Sequence, residues 1–141
     1  MTKPLAEKAR TLSIADKVER EKQNKLMKFI FDIASELATN YEYNRVVNWI
    51  NRCAKAKQTH CIFDIFLRML FQYDDKINSN LAAIFGPDFE QHTTEIAKDA
   101  VCLSIIYQIG CIFAERLRKE GFFVNLDNKE DDRVIMLIWW K

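Results

Sequence analysis

AVCLSIIYQIGCIFA, residues 100–114, is apolar on nearly every side. A helix that packs one stripe against a core keeps a polar face, whereas one apolar all round belongs inside a bundle or a membrane. At fifteen residues the stretch falls short of the eighteen or so that a membrane span needs, and no other apolar run reaches that length. It reads as the central helix of a helical domain. Gly110 inside it costs about 1 kcal/mol relative to alanine, so close packing of another backbone, or a bend, is the expected reason for it.

The boundaries of this helix are marked on both sides. Gly86-Pro87-Asp88 opens it: proline suits the first helical position and acids in the first turn complement the helix dipole. Gly121 closes it as a C-cap after Glu120. Beyond Gly121 the apolar period changes from helical to two. Phe122 to Leu126 and Val134 to Trp140 flank the polar turn Asp127-Asn128-Lys129-Glu130-Asp131-Asp132, which predicts a β-hairpin over 122–140. In the second strand Val134, Met136, Ile138 and Trp140 point one way and Ile135, Leu137 and Trp139 the other, so both faces are apolar. A lone hairpin is marginal in water. One face can pack on helices; the other calls for the N-terminal tail, a partner chain, or strands added at an edge. The sequence alone leaves open which face is outward.

Upstream, Val18, Leu26, Phe29, Ile30, Ile33 and Leu37 recur at helical spacing, with Ser13 and Asp16 as a weak capping box before them. Residues 1–12 read as a tail or short helix and 13–141 as one domain. Thr39 to Glu42 is a second capping box, opening a helix to about Lys57 whose apolar face carries Tyr43, Val46, Val47, Ile50, Cys53 and Ala54. A third helix is expected near His60 to Tyr73, where Phe63, Ile65, Phe66, Leu67, Met69, Leu70 and Phe71 crowd together, and a short fourth from Asp75 to Phe85. The fold class is therefore mainly α: a four- to five-helix bundle around the buried central helix, closed by a C-terminal hairpin.

Composition agrees. The 141 residues are 49% hydrophobic with only three glycines and two prolines, which excludes disordered and collagen-like chains and disfavours an all-β fold with its many turns. The start, Met1-Thr2-Lys3-Pro4-Leu5, shows no apolar signal core, so a cytoplasmic location and reduced thiols are expected. The formal net charge of +1 is unevenly spread: residues 1–60 hold 12 Lys/Arg against 7 Asp/Glu, and residues 61–141 hold 9 against 13. Such asymmetry marks a face for nucleic acid or an acidic partner, head-to-tail self-association, or two solvated faces of opposite sign.

Residues that could carry chemistry are few. Cys53, Cys61, Cys102 and Cys111 sit in apolar, helix-like stretches, and the last two lie roughly 13 Å apart by helical rise, beyond disulfide reach. No C-x-x-C occurs, and no metal or cofactor is expected. Asp88, His92, Glu95 and Asp99 form a stripe along one helix flank, which reads as solvated. His60 beside Cys61 invites a thiol-catalysis reading, but neighbours on a helix point about 100° apart. G-x-S-x-G, P-loop, G-x-G-x-x-G and H-E-x-x-H are all absent. An enzyme is not the expected class.

Two surfaces remain. The hairpin face of Phe123, Ile135, Leu137 and Trp139 is the preferred contact for a protein partner or a second copy. The polar face of the second helix, with Arg45, Asn48, Trp49, Arg52 and Lys55 beside Asn44 and Asn51, offers residue types that bind phosphates, stack on bases and read base edges. Against a DNA-binding wing, the acids of the hairpin turn would repel phosphates.

Leu117-Arg118-Lys119-Glu120-Gly121-Phe122-Phe123-Val124, followed by a strand closing on Leu137-Ile138-Trp139, resembles the close of many small tailed-bacteriophage proteins. Those finish with a helix, a Gly-aromatic-x-Val strand and an Ile-x-Ile-x-Trp strand. The likeness covers only the C-terminal helix end and hairpin, and here Trp139-Trp140-Lys141 replaces a single Trp near a serine. It implies a small virion component, or an early protein that binds and redirects a host factor in the host cytoplasm. It assigns no functional residue.

Overall fold

The computed structural model describes residues 5–86 and 95–140. These form four α-helices and a three-stranded antiparallel sheet: α1 (Leu5–Leu37), α2 (Asn40–Lys55), β1 (His60–Phe66), a 3₁₀ segment (Leu67–Tyr73), α3 (Asp74–Phe85), α4 (Glu95–Lys119), β2 (Phe123–Asp127) and β3 (Arg133–Trp139). The chain is mainly helical, as expected, but its layout is a helical layer against a sheet rather than helices plus a lone hairpin.

The difference lies at His60–Tyr73. The predicted third helix is instead a strand followed by a 3₁₀ segment. In β1, Cys61 and Ile65 are buried and Phe63 half-buried, while His60 and Ile62 are exposed: a period of two. Its β-branched and aromatic residues suit a pleated surface. β1 pairs with the free edge of β3, so β3 lies at the centre of the order β1-β3-β2. β1 thus adds a third strand to the edge of the hairpin.

α4 is the core. Ile105, Ile106, Ile109, Ala114 and Leu117 have no exposed surface, and a fully buried aliphatic side chain stabilises a fold by about 1.5–3 kcal/mol relative to an exposed one. By length and mean hydropathy of 1.5, Lys98–Lys119 would suffice to cross a membrane, a longer apolar reach than residues 100–114 alone indicate. Here it lies between α1 on one side and the sheet on the other. Gly110 is explained by that second contact. A Cβ there would stand 3.3 Å from Leu126 Cδ2 and 3.5 Å from Ile65 Cδ1, so sheet side chains, rather than another backbone, press closely on the glycine.

Two helix ends follow their sequence signals, the start of α2 and the end of α4. Thr39 Oγ1 accepts from the Glu42 amide at 3.2 Å, capping α2. Gly121 has φ 97°, and the Gly121 and Phe122 amides donate to Arg118 and Leu117 carbonyls, a Schellman ending. α2 ends in the same way, with the Lys57 and Gln58 amides donating to Ala54 and Cys53, but Lys57 rather than glycine takes the left-handed position at φ 62°. α1 runs unbroken through Ser13 and Asp16, so these do not cap it. Pro87 and Asp88, the expected start of the central helix, lie outside the described residues.

Candidate protein-contact face

The pairing register sorts the sheet residues into two faces. Cys61, Phe63 and Ile65 of β1 stand opposite Ile138, Met136 and Val134 of β3, and Val124 and Leu126 of β2 complete the set. These face α4; Val134 and Met136 are fully buried. The other face has four rows: His60–Trp139–Phe123, Ile62–Leu137–Asn125, Asp64–Ile135–Asp127 and Phe66–Arg133. Phe123, Ile135, Leu137 and Trp139, the residues expected to form one contact, do share this face, and Ile62 joins them. Exposure is 57% for Phe123, 52% for Ile62 and 37% for Leu137; Ile135 and Trp139 are half-buried. The Phe123 and Trp139 rings stack, 5.8 Å between centroids at 17°. Ile62 was missed because its segment reads as a helix.

The edges of the sheet are less available than this face. The Trp49 indole Nε1 donates to the Ile62 carbonyl at 2.8 Å, on the outer edge of β1 where α2 packs. Arg118 Nη2 donates to the Val124 carbonyl at 2.7 Å, on the outer edge of β2. Each side chain occupies a main-chain acceptor that an added strand would need.

The basic helix face is also assembled: Arg45, Asn48, Trp49, Arg52 and Lys55 line one shallow depression with Asn51 and Phe63. Two of its five predicted residues are already engaged. Arg45 pairs with Glu42 at 2.9 Å, and Trp49 is held through its indole N–H, with 39% of its surface exposed.

The thiol reading fares differently on a strand than on a helix. His60 and Cys61 are neighbours on β1 and so point to opposite faces, His60 exposed and Cys61 buried. Cys61 instead meets Cys53 of α2. Burial first, and then the Cys53 thiol, push the Cys61 thiol up to about 12, far from the thiolate that nucleophilic attack needs. Burial also raises Cys102 and Cys111. Of the acidic stripe, Asp88 and His92 lie outside the described residues, while Glu95 opens α4 and Asp99 is exposed on it. Among the described residues, no three His, Cys, Asp or Glu side chains converge as metal ligands would.

No family model, no curated protein and no solved structure matches this chain.

Proposed function

We propose that the chain is a non-enzymatic protein-interaction module, a small phage-type protein of the host cytoplasm, which joins a protein partner or a second copy of itself through the outer face of its sheet. The observation that carries this reading is the continuous apolar surface of Ile62, Phe123, Ile135, Leu137 and Trp139 on a sheet whose other face is buried. Exposed apolar patches of this kind are characteristic of contact sites, and aromatic side chains are enriched at interface cores. His60 at one end and Asp64 and Asp127 at the other border the patch with polar side chains, as interface rims do.

The test is a Leu137→Thr/Trp139→Thr double variant. Threonine keeps the β-preference of the strand while removing apolar area. The expected result is a folded chain, by circular dichroism and thermal unfolding, that has lost association. A variant that associates as tightly as the parent would overturn the reading.

A second reading, nucleic-acid binding by Arg45, Asn48, Trp49, Arg52 and Lys55, is supported by their gathering in one depression where Arg52 and Lys55 have no acidic partner among the described residues. Arg45→Glu/Arg52→Glu would then abolish a steeply salt-dependent binding to duplex or single-stranded probes. The pairing of Arg45 and the tethering of Trp49 make it the weaker of the two.

A further inference from the structure

We infer that the open half of the β1 edge takes an extended, acid-flanked peptide as an added strand, at a site separate from the outer sheet face.

The ladder decides which main-chain groups are free. The Leu67 amide donates to Asp132 and the Trp140 amide to Thr59, so the odd-numbered residues 59–67 turn their N–H and C=O groups towards β3. In an antiparallel pair the alternate residues turn theirs the other way. His60, Ile62, Asp64 and Phe66 therefore present main-chain groups on the outer edge. The bond from Trp49 to the Ile62 carbonyl has this sense, and it closes the edge at that residue. Beyond it, the Asp64 N–H and C=O and the Phe66 N–H have no partner among the described residues.

There is room beside them. A bay of about 420 Å³ opens along residues 63–66, between Glu42 and Arg45 of α2 and Arg68 and Gln72 of the 3₁₀ segment, and reaches in to Phe113 of α4. A strand laid here, antiparallel like the rest of the sheet, puts one residue opposite Asp64 and exchanges both main-chain bonds with it. The neighbours of that residue, opposite Phe63 and Ile65, point to the inner face and into the bay. Phe63, Ile65 and Phe113 suit apolar side chains there.

Charge specifies what flanks this apolar centre. Arg68 lies over the Phe66 ring at 4.7 Å and has no acidic partner among the described residues. Arg45 and Phe63 line both the bay and the depression that holds Arg52 and Lys55, so the two are continuous. A chain leaving the bay along α2 meets those two cations, likewise without an acidic partner among the described residues. Acidic residues on either side of a short apolar stretch match these surfaces in order. A nucleic acid matches them less well, because the bay presents the Glu42 and Asp64 carboxylates and the Asp64 carbonyl, which repel phosphate.

The probe is a fluorescent, end-blocked peptide with a valine-threonine-valine centre between glutamates. The expected results are a saturable anisotropy rise with the parent chain and slowed hydrogen exchange at the Asp64 amide. An N-methyl group on the threonine removes the donor that faces the Asp64 carbonyl, with the protein itself unaltered, and should weaken binding at least about fivefold, the worth of one hydrogen bond. Asp64→Pro deletes the outward N–H, which the β3 ladder does not use, and should weaken binding as much; proline is tolerated at such edge positions. Arg68→Glu should weaken it by up to about fivefold, and less at high salt. No saturable binding, an unchanged affinity for the N-methylated peptide, or an Asp64 amide that exchanges equally fast with and without peptide overturns the inference. A lysine-flanked peptide that binds equally well overturns its acidic character, and a single-stranded oligonucleotide that binds where the peptide does not gives the groove to nucleic acid. Leu137→Thr/Trp139→Thr should bind the peptide as the parent does, which separates this test from that of the outer face. Lost binding in that variant would put the peptide on the outer face and overturn the edge site.

Discussion

The inner and outer faces of β3 have almost the same composition and entirely different surroundings. Val134, Met136 and Ile138 are sealed against α4, whereas Ile135, Leu137 and Trp139, one residue out of phase, border solvent. Apolar alternation records that both faces avoid water, but only the helical layer determines which one the fold itself covers. The difference teaches that the inner set stabilises the monomer, and the outer set is available for association.

The largest effect expected from this comparison comes from truncating the inner face. Met136→Ala should cost about 2–5 kcal/mol by chemical denaturation, through lost transfer energy and the cavity left behind, whereas Leu137→Ala should change monomer stability by under about 1 kcal/mol. Similar losses from both would erase the distinction. Next, Gly110→Leu would drive a side chain into Leu126 and Ile65 and should cost about 1–3 kcal/mol, measured by the same unfolding curve. Gly110→Ala, with its Cβ at 3.3 Å, should be far milder because alanine regains about 1 kcal/mol of helix preference.

Smaller effects sharpen the picture at the borders of the sheet. Thr39→Ala removes the cap of α2 and should cost about 1 kcal/mol. Titration of the buried thiols gives a signed pH dependence. Cys61 is raised by burial from an ordinary 9.0 to about 12, so between those values the unfolded chain releases a proton that the folded chain keeps. Stability should therefore hold below pH 9 and fall as pH rises from about 9 towards 12. A thermal midpoint that is flat or rising across that window would contradict it, and Cys61→Ala should reduce the slope. The smallest effect has the opposite sign: Lys57→Gly should stabilise the fold by about 1 kcal/mol or less, by relieving a left-handed backbone position.

Much of this was legible in the residues themselves. The central helix, the α2 cap at Thr39, the Gly121 ending and the β2–β3 alternation each carry a local signal that the structure keeps. β1 was not legible because no glycine or proline separates Phe66 from Leu67. A seven-residue strand runs straight into a seven-residue 3₁₀ segment, and their pooled apolar density imitates one buried helix. The period-two signal was present in Cys61, Phe63 and Ile65, yet its meaning is tertiary, since it depends on β3 offering an open edge. For the same reason the sequence could not assign Trp49, which bonds a carbonyl of a strand not yet recognised, nor choose between the faces of the hairpin. That choice is made by tertiary packing, Val124 being buried and Leu126 lying against Gly110 of α4.

The most direct measurement is absolute mass by light scattering behind size exclusion, over a concentration series, for the parent chain beside Leu137→Thr/Trp139→Thr. The account predicts that the parent moves from 16.6 kDa towards twice that mass as concentration rises, while the variant, equally folded, stays at the monomer mass throughout. If parent and variant show the same mass at every concentration, the outer face of the sheet is not where the chain meets another copy.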